Sequence, residues 1–329
     1  MAEVTILGAG VAGLCVATEL AGRGVGVRVI DPAGGPGAQG CSWWAGGMLA
    51  PDCEGETAEE PVIRLGREAA AWWARQTAVT RAGSLVIAPA RDRGELDRFA
   101  RRTTGHATLD AAALTALEPD LTAHRALHFA AEAHLDPRTA LGDLARGLAG
   151  RGVAIETGGA PRGTVIDCRG LAARGALPDL RGVRGEMLLL RSRDVTLSRP
   201  VRLLHPRHPI YVVPRGGGVF MLGATQIESD AAGPVTARAL LELLSAAYAL
   251  HPAFAEAEVI ETGADARPAF PDNLPRIRRH GGVIHVNGLF RHGFLLAPAL
   301  ARMVAELVCE GRIPEVMDED RRERHAAGG

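Results

Sequence analysis

The sequence predicts an α/β fold in which a parallel nucleotide-binding sheet is interrupted by inserted antiparallel strands. Three observations lead to this prediction. The first 31 residues have the pattern of a strand, a glycine-rich turn, a helix and a second strand. Short strands of the parallel type return in 152–168, and a strand followed by a helix returns in 282–309. Between them, 185–224 alternates or runs apolar with turns, which is typical of antiparallel strands.

The glycine-rich turn near the amino terminus has the spacing G-x-G-x-x-G. Gly8 permits a tight turn, Gly10 lets a pyrophosphate approach the backbone, and Gly13 lets the helix lie close to the sheet. The helix that follows offers free N–H groups and a positive dipole end to phosphates. Asp31 ends the second strand, where it can accept hydrogen bonds from both ribose hydroxyls and would repel a 2′-phosphate. Together these features indicate a Rossmann-like dinucleotide site, with an ordinary βαβ unit as the structural alternative.

Composition bounds the class of protein. The chain has 329 residues, 47% of them hydrophobic, which is enough for a large core in one elaborate domain or two. A net charge of −1 argues against nucleic acid as a partner. No apolar run reaches transmembrane length and the first strand starts at Val4, so we expect no membrane anchor, no signal peptide and a cytoplasmic location.

Residue types that are rare or missing limit the chemistry further. The five cysteines have no paired spacing and predict neither a disulfide framework nor a metal site. All 37 cationic side chains are arginine. The absence of lysine excludes Schiff-base chemistry and a P-loop lysine.

The glycine-rich segment 32–51 is too irregular for a helix or strand, yet it carries Trp43, Trp44 and Met48. Ser42 is expected to cap a short helix that begins at Trp43. One interpretation is a backbone wall against a flat cofactor ring at 45–47. The other is a buried loop whose tryptophans fill the core, and the segment alone does not decide between them.

Periodicity and stop signals place the other elements. We expect helices over 61–76, 96–102, 110–117, 137–149, 235–250 and 293–309. We expect strands over 83–88, 126–131, 152–156, 164–168, 185–191, 201–204, 210–215, 219–224, 258–266 and 282–287. Asp136 should cap the helix that Pro137 opens, and the charged tail from Asp318 should be frayed.

The segment 287–298, NGLFRHGFLLAP, leads from a strand through glycines into a helix. The N-terminus of that helix could face the pyrimidine end of a flavin and stabilise the negative charge of the reduced ring. The alternative is a plain strand-to-helix turn.

Six segments now stand in one order: GAGVAG, CSWWAGGMLAP, IYVVPR, LGAT, ARP and NGLFRHGFLLAP. This order resembles the D-amino acid oxidase family of flavoenzymes, and within it the glycine oxidase branch linked to thiamine synthesis. The resemblance spans nearly the whole chain. It implies a discontinuous FAD-binding domain of the GR2 type in 1–82, 140–182 and 263–329. An antiparallel-sheet α+β substrate-binding domain would occupy 83–139 and 183–262.

The resemblance implies a role for each matching residue. FAD, bound non-covalently, would be held by Gly8, Gly10, Val11, Ala12 and Gly13 at the pyrophosphate, Asp31 at the ribose, Cys41, Ser42, Gly46, Gly47 and Met48 along the flavin, and Leu289, Phe290, Arg291, His292, Gly293, Phe294 and Leu295 at its other edge. Arg267 and Tyr211 would bind the substrate carboxylate, with Arg291 as a secondary contact and Gln226 near the pocket. Segment 156–164 is shorter than the family usually has, so FAD contacts there stay unassigned. The missing lysine separates the chain from sarcosine oxidase relatives, which use a lysine near the flavin to activate oxygen.

Arg267 also stands out without the resemblance. It follows an expected strand and precedes Pro268, which holds its backbone extended. The guanidinium fork suits a carboxylate, and the alternative is a surface ion pair. His205, His208 and His292 could act as bases, but their spacing predicts neither a catalytic triad nor a metal site.

The implied reaction is FAD-dependent oxidative deamination of glycine by hydride transfer to flavin N5, giving glyoxylate, ammonia and hydrogen peroxide and feeding thiazole synthesis. A small amino acid and molecular oxygen would be its reactants, and the chain would form a homo-oligomer. One alternative is the same chemistry on a D-amino acid or an N-substituted glycine such as sarcosine or iminodiacetate. Another is a flavin-binding redox partner without oxidase activity, which would need no carboxylate clamp. An NAD-dependent dehydrogenase fits the AGGML loop poorly.

Overall fold

The computed structural model describes residues 3–318. Its strands are β1 (Glu3–Leu7), β2 (Gly26–Ile30), β3 (Met48–Leu49), β4 (Ser84–Ile87), β5 (Ala107–Asp110), β6 (Arg125–Phe129), β7 (Ala133–His134), β8 (Ile155–Glu156), β9 (Thr164–Asp167), β10 (Arg181–Arg191), β11 (Val201–Leu203), β12 (Ile210–Gly216), β13 (Val219–Gly223), β14 (Ile227–Glu228), β15 (Glu258–Ala269), β16 (Arg276–His280) and β17 (Val283–Asn287). Its α-helices are α1 (Val11–Gly22), α2 (Pro51–Glu54), α3 (Glu60–Gly66), α4 (Ala69–Trp73), α5 (Arg93–Arg102), α6 (Ala111–Leu117), α7 (Pro137–Ala149), α8 (Ala237–Leu250) and α9 (Gly293–Glu310). Short 3-10 helices cover Cys41–Trp44, Ala90–Asp92, Gly170–Ala173 and Pro252–Glu256.

Within residues 3–318, six strands form the nucleotide-type sheet, in the order β16-β17-β9-β1-β2-β8. The strands from β17 to β8 run parallel, and β16 is antiparallel to β17. The central β1 is apolar because it is covered on both faces, and Val4 and Ile6 are fully buried. Helix α1 packs against α7 and α9 beside this sheet.

The other large sheet of the described chain has nine strands, in the order β14-β10-β13-β12-β11-β4-β6-β5, with β15 paired to β10. Its pairs are antiparallel except for β4 with β11. Helix α8 covers it with Leu243, Ala246 and Leu250. The predicted α/β fold, a parallel sheet interrupted by an antiparallel one, is confirmed.

Several local predictions need correction. The helix expected over 61–76 is broken into α3 and α4, and Trp73 at the end of α4 is fully buried. Strand β16 was not predicted, because its sequence RIRRH has one apolar residue and therefore no alternation of apolar and polar side chains. Strand β15 does not stop at Ala266 but runs to Ala269, since β10 continues as its partner from Arg191 back to Arg181.

The predicted domain division stays a prediction. Its boundaries at residues 140, 183 and 263 fall inside α7, β10 and β15. No helix within residues 3–318 combines the length and apolar character that a bilayer crossing requires. Residues 319–329, which include most of the tail expected to fray, lie outside the described part of the chain.

Candidate active site

A cavity of about 1550 Å³ is lined by residues of both large sheets. Small-molecule pockets commonly measure about 300–1,000 Å³, so this cavity has room for a dinucleotide together with a small substrate. The predicted site residues that line it are Gly8, Gly10, Val11, Ala12, Asp31, Cys41, Ser42, Gly46, Gly47, Met48, Tyr211, Gln226, Arg267, Leu289, Phe290, Arg291, His292, Gly293, Phe294 and Leu295. Residues 157–163 do not contribute to the lining.

Gly13 is the predicted site residue that does not line the cavity. A Cβ atom there would lie 1.9 Å from the carbonyl oxygen of Gly8. Gly13 therefore allows α1 to approach the turn after β1. Because glycine has no side chain, Gly13 could contact a cofactor only through its backbone.

The N-terminus of α1 opens into the cavity with no side-chain cap. The amide N–H groups of Ala12 and Gly13 have no hydrogen-bond acceptor among the described residues. They therefore combine with the positive end of the helix dipole to fit a pyrophosphate. Asp31 lies at the end of β2, where its Oδ2 accepts from the N–H of Ala9 at 2.7 Å and its Oδ1 from Ala33 at 2.9 Å. Each oxygen keeps a lone pair for a ribose hydroxyl.

Ser42 does not cap a helix at Trp43, as the sequence had suggested. It lies within the 3-10 helix Cys41–Trp44, whose N-cap is Gly40. Its hydroxyl instead accepts from the N–H of Val11 at 3.2 Å. Ser42 thus joins the glycine-rich segment 32–51 to the first turn of α1.

Arg215, near the end of β12, holds the backbone of the glycine-rich segment 32–51. Its guanidinium donates to the carbonyl oxygens of Ala45 at 3.1 Å, Gly46 at 2.9 Å and Leu135 at 2.9 Å. Burial lowers the pKa of Arg215 to about 10, and the nearby Asp136 offsets part of this effect. The loop backbone is therefore held rigidly along one wall of the cavity.

Trp43 and Trp44 lie in the cavity wall, and each also packs against a buried apolar cluster. Both line the cavity and both remain partly exposed. The guanidinium of Arg138 lies 4.8 Å and 5.2 Å from their ring centroids. The structure therefore contains features of both interpretations, since 45–47 line the cavity and the tryptophans pack on buried apolar clusters, and contact of 45–47 with a cofactor ring stays a prediction.

At the other end of the cavity, Arg267 projects over β10. Its hydrogen bond in the described chain is from Nη1 to the carbonyl oxygen of Thr225, at 3.4 Å, and no carboxylate among residues 3–318 forms an ion pair with it. The surface ion pair considered for Arg267 is therefore not what the structure has. Tyr211 lines the same cavity from β12, and its ring lies 2.8 Å from where a Cβ of Gly46 would be.

Arg291 and His292 form a charge cluster with Glu54 of α2, in which Glu54 and His292 are buried and Arg291 is exposed. His292 Nε2 lies 2.9 Å from Glu54 Oε2, and Arg291 Nη2 lies 2.8 Å from the same oxygen. Arg202 binds the other oxygen of Glu54. Burial alone would raise the pKa of Glu54, but the two arginines and His292 hold it well below its ordinary value. Burial lowers the pKa of His292, which disfavours its charged form.

The other two candidate histidines do not form a catalytic pair. The rings of His205 and His208 stack with centroids 5.6 Å apart, and His208 lies 3.8 Å from Glu242. Among residues 3–318, no three His, Cys, Asp or Glu side chains are grouped so that they could hold a metal ion.

Sequence reasoning missed three residues of the cavity region. Arg215 is the last residue of the IYVVPR segment, but no role was predicted for it. Nothing in the sequence around Glu54 indicated a role for that residue. Asp265 lines the cavity two residues before Arg267, and burial raises the pKa of its carboxyl. The alternation of β15 would have placed Asp265 beside Arg267, had the strand been extended past Ala266.

Comparison with known proteins gives a consistent result. The family model DAO, "FAD dependent oxidoreductase", matches residues 3–307. A Rhizobium etli protein named as the thiamine biosynthesis oxidoreductase ThiO is 58% identical over 323 residues, which make up 95% of this chain and 98% of that protein. The solved glycine oxidase of Bacillus cereus has a TM-score of 0.80 at 23% identity, covering 95% of this chain and 96% of its own. The iminodiacetate oxidase of Chelativorans sp. BNC1 also has a TM-score of 0.80, at 24% identity and the same coverage. Both structures share the fold of this chain.

Proposed function

This chain belongs to the DAO family of FAD-dependent oxidoreductases, and from that premise we propose that it oxidises the amine of a small amino acid, with glycine as the first candidate. The observation that carries the proposal is Arg267, a cavity arginine without a carboxylate partner in the described chain. A partly buried cation of this kind suits the carboxylate of a substrate. The relative named for thiamine biosynthesis supports a product that serves thiazole synthesis.

The residues present fit FAD as the cofactor. The open N–H groups of α1 would hold the pyrophosphate, and Asp31 would hold the ribose. The wall fixed by Arg215 would lie along the flavin, which Cys41 would contact without a covalent bond. Burial raises the pKa of the Cys41 thiol to about 12, which keeps it protonated and unreactive at neutral pH. Bound FAD supplies the oxidant that accepts a hydride from the substrate.

The substrate would be oriented by two cavity side chains of the antiparallel sheet, one on β15 and one on β12. Arg267 would bind the carboxylate with its fork, and the hydroxyl of Tyr211 would donate to the same group. Two contacts of this kind fix the direction of the Cα–H bond, and positioning of a reacting bond is a large part of the rate acceleration of an enzyme.

An N-substituted glycine with a second carboxylate is the other candidate substrate. Arg207 also lines the cavity, and no carboxylate among residues 3–318 forms an ion pair with its side chain. A dicarboxylate such as iminodiacetate could bind one carboxylate at each arginine. This candidate predicts that Arg207→Ala weakens oxidation of iminodiacetate and leaves oxidation of glycine unchanged.

The test is the visible flavin spectrum of the purified protein during anaerobic addition of glycine. We expect a flavin band that bleaches with glycine and returns with air. Arg267→Ala should keep its FAD and raise the KM for glycine at least about 100-fold, because a charge-assisted bidentate contact is lost. Arg279→Ala removes an exposed arginine of β16 outside the cavity and serves as the control.

The result that would contradict the proposal is equally clear. If the flavin band is not bleached by glycine, sarcosine, iminodiacetate or a D-amino acid, the proposed oxidase function is wrong, although the fold is unaffected. Unchanged kinetics in Arg267→Ala would remove the carboxylate clamp.

A further inference from the structure

Asp265 and Arg267 present opposite charges to the same part of the cavity. They stand two residues apart on β15, so their side chains project from one face of the strand. In the pairing with β10, Asp265 lies opposite Gly185, and the guanidinium of Arg267 lies over the same glycine. The two side chains form no ion pair with each other in the described chain, so both charges remain available to a ligand.

The carboxylate of Asp265 is only partly used by the protein. Its Oδ1 accepts from the N–H of Ala266 at 2.7 Å, and its Oδ2 has no hydrogen-bond partner among residues 3–318. The charged and titratable groups that act on its carboxyl are Arg267 of its own strand, Cys41 of the 3-10 helix and Arg184 of β10, which lies opposite Ala266 and projects from the other face of the sheet.

None of these neighbours neutralises Asp265 directly. Arg184 is paired with Glu186 at 2.9 Å and also donates to three backbone carbonyl oxygens. The thiol of Cys41 is protonated and adds no competing negative charge. Burial raises the pKa of Asp265, which makes its carboxylate a better proton acceptor than an exposed aspartate.

We propose that Asp265 is a further catalytic residue, which receives the ammonium group of an amino-acid substrate and accepts one of its protons. This inference rests on the proposed function, in which Arg267 holds the carboxylate of the same substrate. An amino acid carries its ammonium and carboxylate groups on one carbon atom. A binding site that presents an anion and a cation on one face of a strand is complementary to that arrangement.

The proton transfer prepares the substrate for oxidation. An N–H bond of the ammonium breaks, an O–H bond forms on Oδ2 of Asp265, and the nitrogen keeps the electron pair. That pair becomes the second bond of the C=N group when the Cα–H hydrogen leaves as a hydride to the bound oxidant. Asp265 then returns its proton to water. A positioned acid or base of this kind contributes about 10²–10⁴-fold to a rate.

The same carboxylate distinguishes amines from other small acids. A 2-hydroxy acid or acetate offers Arg267 a carboxylate but offers Asp265 no cation. Asp265 would therefore favour amino acids and repel simple carboxylates. The repulsion gives a binding measurement that does not depend on turnover.

Asp265→Asn tests the inference, because the amide keeps the shape and the acceptor for the N–H of Ala266 while it removes the charge and the base. The measurement is flavin reduction by glycine in anaerobic stopped flow between about pH 5.5 and pH 10. We expect the rate of flavin reduction in the wild type to increase with pH, through a pKa above that of an ordinary aspartate. The variant should be at least about 100-fold slower near pH 7 and should recover as the pH approaches the pKa of the free amine. Glu258→Gln replaces an exposed carboxylate at the other end of β15 and should match the wild type.

Acetate binding, followed by titration calorimetry of the holoenzyme, separates this inference from the proposed function. Asp265→Asn should bind acetate as well as the wild type or more tightly, and Arg267→Ala should lose acetate binding. If Arg267→Ala binds acetate normally, the carboxylate clamp itself is wrong. If Asp265→Asn retains glycine kinetics within threefold and the wild-type pH profile, the role of Asp265 is overturned. Asp265→Ser, which also offers an oxygen to Ala266, decides the case if the asparagine variant does not hold FAD.

Discussion

The guanidinium of Arg267 lies so close to Gly185 that a Cβ atom on that glycine would come within 2.0 Å of Nη2. The register pairs Arg267 with Val183, so its side chain reaches diagonally along β10 to the next residue on the same face. The missing side chain of Gly185 thus leaves the space that the guanidinium of Arg267 occupies.

Gly185→Ala should displace this guanidinium without unfolding the protein, because the clash is with the mobile end of a long side chain. We expect the KM for glycine to rise at least about tenfold, equivalent to about 1.4 kcal/mol of lost binding, with FAD content unchanged. Steady-state kinetics of the FAD-loaded variant give the answer. Gly147→Ala adds the same methyl group where nothing lies within 4 Å and should leave KM unaltered. Equal KM values in the two variants would show that Arg267 does not need this space.

The parts of the site that depend on local sequence were predictable. The turn after β1, helix α1 and Asp31 follow one another within 31 residues, and each has a recognisable residue type at a fixed spacing. The cap of α7 is equally local, since Asp136 accepts from the N–H of Thr139 at 2.8 Å as its position before Pro137 predicted.

The parts that depend on long-range register were not predictable from one sequence. Gly185 and Arg267 are 82 positions apart in the numbering, and only the pairing of β10 with β15 brings them together. Arg215 reaches the carbonyl oxygen of Gly46 across 169 positions. The sequence around Arg267 and around Arg215 does not indicate these partners. A glycine has no side chain, and every residue has a backbone carbonyl oxygen, so neither kind of partner can be recognised from residue type.

Arg215 should prove essential to the cofactor wall. Arg215→Met leaves the carbonyl oxygens of Ala45, Gly46 and Leu135 without this donor, and a buried unpaired group costs about 1–3 kcal/mol. We expect a loss of about 3 kcal/mol in the free energy of unfolding and a weaker affinity for FAD. Urea unfolding at two FAD concentrations separates these two effects.

The matched control for Arg215 is Arg191→Met, which removes an exposed arginine of β10 paired with Glu258 at 3.4 Å. Exposed pairs contribute at most about 1 kcal/mol, so this variant should remain close to the wild type. The same stability and FAD affinity in both variants would refute the role given to Arg215.

Ser42 links the segment 32–51 to the first turn of α1 by accepting from the N–H of Val11. Ser42→Ala removes a hydrogen bond worth about 1 kcal/mol, and we expect a several-fold rise in the dissociation constant for FAD with little change in fold. Fluorescence titration of the apoprotein with FAD measures this constant. Ser245→Ala, at an exposed serine of α8, should bind FAD as the wild type does. If Ser42→Ala does the same, the link has no part in cofactor binding.

Glu132 is a buried carboxyl beside the Glu54 cluster. Its Oε1 accepts from the N–H of Cys53 at 2.7 Å, and Ser84 donates to its other oxygen. Burial raises the pKa of Glu132 to about 7, although its hydrogen bonds and Arg202 act in the opposite direction. The pKa of glutamate in an unfolded chain is about 4.3. Between these two values the folded protein retains a proton that the unfolded chain has lost.

This difference fixes the sign of a pH effect. The stabilisation from protonated Glu132 is fully present below about pH 4.3 and is lost as the pH rises through about 7, at a total cost of about 4 kcal/mol. Glu132→Gln stays neutral, accepts from Cys53 and can donate to Ser84, so it should lose this dependence and exceed the wild type in stability at pH 8. Urea unfolding from pH 4.5 to pH 8 at fixed FAD concentration measures the difference. Glu60→Gln, at an exposed glutamate of α3, should follow the wild-type curve. A Glu132→Gln curve parallel to the wild type across this window would mean that Glu132 is already ionised in the folded protein.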